Sequence, residues 1–137
     1  MRRIETETDV ADGLAALAVI DPRLAAVVAA AGVVPLRRVA PGFASLVSIV
    51  VSQQVSRASA DAILGRLVAL VDPLDAAGIL AINEVVFRQA GLSRPKQRTL
   101  LALARAVAED GLDLDHLAAA DAREAMARLT AISGIGP

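Results

Sequence analysis

Apolar residues recur every three or four positions along most of the chain, and clusters of Gly, Pro, Asp and Ser interrupt them. This spacing is typical of amphipathic helices, whereas the strict alternation expected of a β-strand is scarce. The helices predicted on this basis span about residues 9–20, 23–31, 43–54, 57–71, 76–82, 84–90, 94–108 and 122–131. A looser segment is expected at 112–120, so the sequence predicts one all-α domain over residues 1–137.

Residues at the predicted helix starts are of the types that cap helices. Thr8 or Asp9 is expected to cap the first helix. Asp121 and Glu124 resemble a capping box at the start of the last helix, with Asp in place of Ser or Thr. Caps of this kind support the boundaries that the apolar spacing indicates.

The segment Phe43–Gln54 has apolar residues on most of its sides. Its polar residues Ser45, Ser48 and Ser52 are three and four positions apart, so they share one side of a helix. Small side chains on one side allow a neighbouring helix to approach closely. We therefore expect a central, buried helix here.

The end of the chain, LTAISGIGP, combines the end of a helix with a Gly-Ile-Gly turn. Both glycines can adopt positive φ, and Pro137 stands where the first residue of a second helix would be. A glycine-rich turn between two helices presents backbone N–H groups to an anion, and the second helix adds its dipole. That helix is missing, so the sequence predicts a chain that is truncated within the motif.

The composition limits the classes of function. Lys and Arg number 14 against 15 Asp and Glu, and a net charge of −1 does not by itself indicate a nucleic-acid binder. Without cysteine, this stretch of chain can hold no thiolate zinc site, disulfide or iron–sulfur cluster. The longest apolar run, Leu24–Leu36, is shorter than the roughly 20 residues that span a bilayer. We therefore expect no membrane partner and a cytoplasmic location.

A basic stretch stands out locally, because residues 85–108 contain five basic side chains and no acidic one. Arg94, Lys96 and Arg98 cluster at a predicted helix N-terminus, where cations oppose the helix dipole. Either they form a phosphate-binding edge or they are a solvated helix face. His116 has no Ser or Cys partner of the triad type and is interpreted as structural.

Three blocks of sequence resemble a known family in their order and spacing. Residues 129–137, LTAISGIGP, resemble the first helix and hairpin of the helix-hairpin-helix motif of the HhH-GPD DNA glycosylases. Residues 41–56, PGFASLVSIVVSQQVS, and 91–107, GLSRPKQRTLLALARAV, are similar to segments of DNA-3-methyladenine glycosylase II, the AlkA-like branch. The resemblance covers about residues 21–137.

This resemblance implies a helical HhH-GPD DNA glycosylase fold, incomplete at the C-terminus, and a role in base excision repair. Such an enzyme flips an alkylated base, such as 3-methyladenine, out of double-stranded DNA and hydrolyses its N-glycosidic bond. The family's catalytic Asp stabilises positive charge on the sugar, and its position lies beyond Pro137. The chain itself is therefore expected to be inactive. The full-length protein is expected to be a nucleoid-associated monomer without a redox cofactor.

The resemblance also assigns DNA contacts to particular residues. Gln54, next to Gln53, falls at the position of a wedge that fills the gap left by the flipped base. From the residues alone, the same pair is a polar helix end that faces water. Further expected DNA-binding residues are Gln53, Ser56 and, from the basic cluster, Arg94 and Lys96. Gly134, Ile135 and Gly136 are expected to bind DNA through their backbone amides. The backbone carbonyls that stand where the family often holds a monovalent cation are those of Thr130, Ile132 and Gly134.

Two other functions are compatible with the same sequence. A non-catalytic helix-hairpin-helix module would bind DNA through the same turn without any chemistry. A helical interaction domain would use the Gly-Ile-Gly turn only as a helix cap, and changes at Gly134 and Gly136 would then leave DNA affinity unaltered.

Overall fold

A computed structural model describes residues 4–136, and all regular secondary structure in this range is α-helical. The all-α prediction is thereby confirmed. Pro137, the expected first residue of a second hairpin helix, lies outside the described residues. The chain divides into two compact units, of which the first ends at Val39 and the second begins at Ala40. That residues 1–137 form a single domain stays a prediction.

The first unit contains two helices, α1 (Glu7–Ile20) and α2 (Arg23–Ala31), which pack against each other. α1 is capped by Thr6, whose hydroxyl oxygen accepts a hydrogen bond from the Asp9 N–H at 3.1 Å. In return, the Asp9 carboxylate accepts one from the Thr6 N–H at 2.9 Å. The predicted cap at Thr8 or Asp9 is therefore wrong, because Asp9 is the third helical residue of a reciprocal capping box.

Asp21 holds the first turn of α2, because its carboxylate accepts a hydrogen bond from the Arg23 N–H at 3.1 Å. The Arg23 guanidinium also binds this carboxylate, at 2.7 Å from Nη2 to Oδ2, and lowers the pKa of Asp21 from its ordinary value. The stabilisation by the ionised carboxylate is therefore present at neutral pH and is lost as the pH falls through the lowered pKa. After α2 the connector returns to α1, where the Leu36 N–H donates to the Glu7 carboxylate.

In the second unit the described residues form a bundle of short helices. These are α3 (Phe43–Ser52), α4 (Arg57–Leu70), α5 (Ala76–Ala81), α6 (Glu84–Ala90), α7 (Arg94–Ala108), α8 (Leu114–Ala119) and α9 (Ala122–Thr130). α7 packs against α3 and α5, α4 packs against α3 and α6, and α8 packs against α9. None of the described helices is long and apolar enough to cross a membrane.

The core of the second unit consists of two apolar clusters. The larger one joins side chains of α3 to α7 and includes Phe87, which is 2% exposed. The smaller one joins Leu103 of α7 to Leu117 of α8 and to Ile132, which follows α9. Because α7 supplies residues to both clusters, it fixes the last helices to the rest of the unit.

α3 is the apolar helix that the sequence predicts, but it is shorter and less completely buried. Its buried residues are Val47, Val50 and Val51. On another side, Ile49 is 50% exposed. The prediction that the helix continues to Gln54 is wrong, because Gln53 is extended and Gln54 is left-handed, so α3 ends at Ser52.

The segment 112–120 is not loose as predicted, because it contains the helix α8. Asp113 caps this helix by accepting a hydrogen bond from the His116 N–H at 2.9 Å. The apolar side of α8 is anchored by Leu117, which belongs to the smaller core cluster. A cap and one buried anchor therefore suffice for a helix that tertiary packing stabilises.

α9 begins at its predicted cap. The Asp121 carboxylate accepts hydrogen bonds from the N–H groups of Arg123 at 2.8 Å and Glu124 at 3.0 Å. The Glu124 carboxylate contacts Nε2 of His116 at 3.0 Å, which links α9 to α8 and gives this histidine a structural role.

Candidate nucleic-acid interface

The four residues between α3 and α4 form an exposed turn, which we call the glutamine turn (Gln53–Ser56). Gln53 leaves the helix with φ −60° and ψ 131°. Ser56 then begins α4, because its hydroxyl oxygen accepts a hydrogen bond from the Ser59 N–H at 3.2 Å. The turn is therefore held at both ends by helices that pack against each other, while its own residues face solvent.

Gln54 has a backbone conformation that residues with a Cβ avoid. Its φ of 58° is the only positive value at a non-glycine position in the described range. The left-handed region costs such a residue about 1–2 kcal/mol, and strain of this kind concentrates at functional turns. The fixed helices on both sides keep Gln54 in this conformation at an exposed position.

Beside the glutamine turn lies a pocket of about 360 Å³ between α3 and α4. Its lining residues are Ser48, Ser52, Val55, Arg57, Ala60, Asp61 and Leu64. Two of the three serines predicted to share one side of α3 therefore line an opening next to the turn.

A second exposed turn follows α9, and we call its residues 131–136 the hairpin. The Ile132 N–H donates back to the last turn of α9, and the Ile135 N–H donates to the Ile132 carbonyl at 3.0 Å. The Ile132 side chain is buried, whereas Gly134 and Gly136 are exposed. The amide of Ile135 thus has a partner inside the hairpin, and both glycines have backbone atoms that are exposed to solvent.

The hairpin rests on α7 at Gly134, whose φ is 91°. A Cβ placed on Gly134 would overlap the hydroxyl oxygen of Thr99 and would lie 3.0 Å from the Thr99 Cβ. Thr99 is buried, and its hydroxyl donates to the Pro95 carbonyl at 3.2 Å, so the side chain is not free to rotate away. Positive φ and close approach therefore both require glycine at this position.

Lys96 attaches the end of α3 to the same helix. Its ammonium donates a hydrogen bond to the Val51 carbonyl at 2.6 Å. Val51 belongs to the last turn of α3, where carbonyls have no partner within the helix. Lys96 and Thr99 are three positions apart on α7 and so share one side of it. One side of α7 therefore holds both turns that are predicted to contact DNA.

Two arginines of the predicted phosphate edge remain on the surface. The Arg94 side chain is 84% exposed and forms an ion pair of 3.7 Å with Glu84. Arg98 is also exposed. Together with Arg94 and Glu84 it lines a groove of about 290 Å³. An exposed ion pair contributes at most about 1 kcal/mol, so these guanidinium groups are available to an anion. Lys96 is half-buried and already hydrogen-bonded, and a DNA contact by Lys96 stays a prediction.

The three carbonyls predicted to hold a monovalent cation lie at the end of α9 and in the hairpin. A helix C-terminus carries partial negative charge and unpaired carbonyl oxygens, which hard cations prefer as ligands. The Ile132 carbonyl accepts the Ile135 N–H, which leaves it a second lone pair. These residues fit such an ion, and its binding stays a prediction. Among the described side chains, no group of His, Cys, Asp and Glu could hold a metal ion.

The structure thus attaches two exposed elements to one helix, since Lys96 of α7 bonds the end of α3 just before the glutamine turn and Thr99 of α7 contacts the hairpin. Sequence reasoning missed the contacts of Lys96 and Thr99, because their partners are distant along the chain. Thr99 carries no local signal of its role. Lys96 does carry a local signal, since its charge opposes the dipole of its own helix.

Residues 47–135, which include the glutamine turn and all of the hairpin except Gly136, match the family described as HhH-GPD superfamily base excision DNA repair protein. The chain is also similar to a DNA-3-methyladenine glycosidase of Bacillus halodurans, with a TM-score of 0.73 and 35% identity, over 87% of this chain and 56% of that one. A 3-methyladenine DNA glycosylase of Schizosaccharomyces pombe, in complex with abasic DNA, gives a TM-score of 0.67 and 26% identity, over 75% of this chain and 53% of that one. The chain spans about half the length of these two proteins. No curated protein sequence matches this chain significantly.

Proposed function

The chain belongs to the HhH-GPD superfamily of base excision DNA repair proteins, and we propose that it forms the DNA-binding part of a DNA glycosylase. The proposed reaction is hydrolysis of the N-glycosidic bond of alkylated bases, such as 3-methyladenine, in double-stranded DNA. The names of the two similar proteins, both 3-methyladenine glycosylases, support this proposal. The observation in this chain that carries it is the exposed, left-handed Gln54 between two packed helices.

In this proposal Gln54 enters the base stack when the damaged base leaves it. Flipping a base out of a duplex costs a few kcal/mol of stacking and pairing. A planar amide on a short stem can occupy the gap and can hydrogen-bond the base that has lost its partner. Because the glutamine turn is fixed before DNA arrives, less conformational entropy is lost on binding.

The hairpin and the exposed arginines are proposed to bind the DNA backbone. The amides of Gly134 and Gly136 can donate to phosphate oxygens, as those of glycine-rich turns do. Arg94 and Arg98 add positive charge near the N-terminal end of the helix that carries both turns. Contacts of this kind set the position of the protein on the duplex but do not read the base. With a net charge of −1, the chain depends on this local charge for attraction.

The carboxylate that stabilises the transition state is proposed to come from an Asp beyond Pro137. Positive charge develops on the sugar as the glycosidic bond breaks, and a nearby carboxylate lowers the free energy of that state. Recognition of the gap and insertion of the wedge need no such group. These two steps can therefore be tested on residues 1–137 directly.

The purified chain is expected to bind a duplex with a tetrahydrofuran abasic site about 30-fold more tightly than the intact duplex. An abasic site has no base to unstack, so the protein gains the wedge contact without that cost. A buried polar group without a hydrogen-bond partner costs about 1–3 kcal/mol, and the wedge amide removes this cost for the unpaired base. This free energy corresponds to roughly a 5- to 150-fold affinity ratio. Fluorescence anisotropy at constant salt measures both affinities.

Two additions make this experiment specific. A 2-aminopurine opposite the abasic site reports the wedge, because its fluorescence responds to the stacking around it. Titrations from about 50 to 200 mM salt report how many phosphates are engaged. Equal affinities with unchanged fluorescence would contradict the glycosylase proposal and favour a non-catalytic DNA-binding module. Failure to bind either duplex would favour a helical interaction domain.

A further inference from the structure

Lys96 differs from the neighbouring arginines because its ammonium group donates a hydrogen bond to the backbone of another helix. Nζ donates to the Val51 carbonyl at 2.6 Å, across 45 positions of sequence. Arg94 and Arg98 lie close to it on α7 and are exposed. The structure therefore gives one member of the predicted phosphate edge a bond that the other two do not share.

We infer that Lys96 is a positioning residue that holds the glutamine turn in its DNA-binding geometry, an inference that rests on the proposed function. The bond reaches α3 in its last turn, just before Gln53 leaves the helix. A strained φ such as that of Gln54 persists only while the surrounding structure fixes it. Lys96 fixes the α3 end of the turn, and the Ser56 cap fixes the α4 end.

The charge of Lys96 suits the end of α3 better than the start of its own helix. A helix C-terminus carries partial negative charge, and a cation near it is stabilising. A cation in the first turn opposes the dipole, and that is where Lys96 lies in α7. Its interaction with α3 offsets this unfavourable placement, which a neutral hydrogen-bond donor would do less well.

The same side of α7 also sets the spacing between the glutamine turn and the hairpin. Thr99, about one helical turn after Lys96, contacts the hairpin at Gly134. Two contact elements on one rigid helix present a constant spacing to DNA, whose phosphates and base gap are also at fixed distances. Loss of the Lys96 bond should loosen the glutamine turn and leave the hairpin in place.

Three variants separate this role from a plain loss of charge. Lys96→Met removes the ammonium and keeps an unbranched apolar stem, Lys96→Arg keeps a charged donor, and Arg98→Met removes an exposed cation from the same part of α7. Without DNA, hydrogen exchange measured by mass spectrometry is expected to rise at least about fivefold across residues 52–56 in Lys96→Met. In Lys96→Met, hydrogen exchange should stay unchanged across residues 131–136. In Arg98→Met, it should stay unchanged across both 52–56 and 131–136.

With DNA, Lys96→Met is expected to lower the preference for the abasic duplex about fivefold. Arg98→Met should weaken binding to both duplexes by the same factor, because a phosphate contact does not depend on the base. Lys96→Arg should restore most of the preference. A Lys96 that only stabilised the fold would lower the melting temperature without changing the ratio of the two affinities.

The outcomes distinguish this inference from the proposed function. Unchanged exchange across residues 52–56 overturns the inference whatever the DNA results are, and so does an equal loss of affinity for both duplexes. If the unsubstituted chain shows no abasic preference, the proposed function fails, whereas faster exchange in Lys96→Met still supports attachment of the turn by Lys96. Should Lys96→Met not melt cooperatively, Lys96→Gln, with a shorter neutral donor, serves in the same comparison.

Discussion

Gly134→Ala is expected to lower the free energy of unfolding by about 1–4.5 kcal/mol, the sum of a backbone strain and a steric overlap less a smaller gain in the unfolded chain. An alanine at φ 91° is strained by about 1–2 kcal/mol. Its Cβ would also overlap the buried Thr99 side chain, and forced contacts in a packed interior cost about 1–3 kcal/mol. Alanine also reduces the conformational entropy of the unfolded chain, which stabilises the variant by about 0.4–1 kcal/mol. Urea unfolding followed by circular dichroism measures the difference.

Gly136→Ala is the matched control in the same hairpin. Apart from its chain neighbours, no heavy atom lies within 4 Å of a Cβ at this position, and its φ is not positive. Its unfolding free energy should therefore change by no more than about 0.5 kcal/mol. Adding Thr99→Ala to Gly134→Ala removes the hydroxyl and methyl groups that the new Cβ meets. The double variant should recover the contact part of the loss, about 1–3 kcal/mol, and not the strain.

Equal losses in the two glycine variants would show that the hairpin does not rest on Thr99. If the hairpin does rest there, Gly134→Ala also displaces it from α7. The spacing between the hairpin and the glutamine turn would then change, and the affinity for the abasic duplex should fall further in Gly134→Ala than in Gly136→Ala. This second comparison connects packing on α7 to DNA recognition.

Helix positions were predictable where local residues decide them. The predicted bounds of α4, α6 and α7 agree with the structure to within one residue, because residues of capping type mark their starts, and an Asp-Pro pair or a glycine follows their ends. α8 was missed because six residues are too few to show a helical period, and its cap lies among other acidic residues. The short length also explains why packing of Leu117, rather than propensity, determines this helix.

The conformation of the candidate site was less predictable than its place in the sequence. The family resemblance located the glutamine turn and the hairpin, but glutamine is a good helix former and gives no sign of a left-handed conformation. The bond from Lys96 to the Val51 carbonyl at the end of α3 joins residues 45 positions apart, so a local pattern does not reveal it either. The contact between Thr99 and Gly134 likewise depends on how distant segments pack, which no local pattern encodes.

Gln54→Ala is expected to lower the preference for the abasic duplex about 30-fold, the equivalent of roughly 2 kcal/mol from the lost hydrogen bond to the unpaired base and the empty gap. The wedge side chain is removed, while the phosphate contacts of the hairpin and the arginines remain. Stability should change by less than about 0.5 kcal/mol, because the side chain is exposed and alanine bears the same left-handed strain as glutamine. Paired anisotropy and thermal melts on one preparation give both quantities.

Gln54→Gly separates the strain from the wedge. Glycine adopts φ 58° freely, so relief of about 1–2 kcal/mol is partly offset by about 0.5–1 kcal/mol from its more flexible unfolded chain. This variant should be as stable as the unsubstituted protein or slightly more stable, with the same loss of preference as Gln54→Ala. Gln53→Ala is the adjacent control, since Gln53 is exposed with an ordinary φ of −60°, and it should keep the preference. If Gln53→Ala alone loses the preference for the abasic duplex, Gln53 is the wedge. If substitution of neither glutamine lowers this preference, the turn is a polar surface loop. A wedge differs from such a loop because its strained backbone conformation in the free protein positions a side chain that makes its contacts only in the DNA complex.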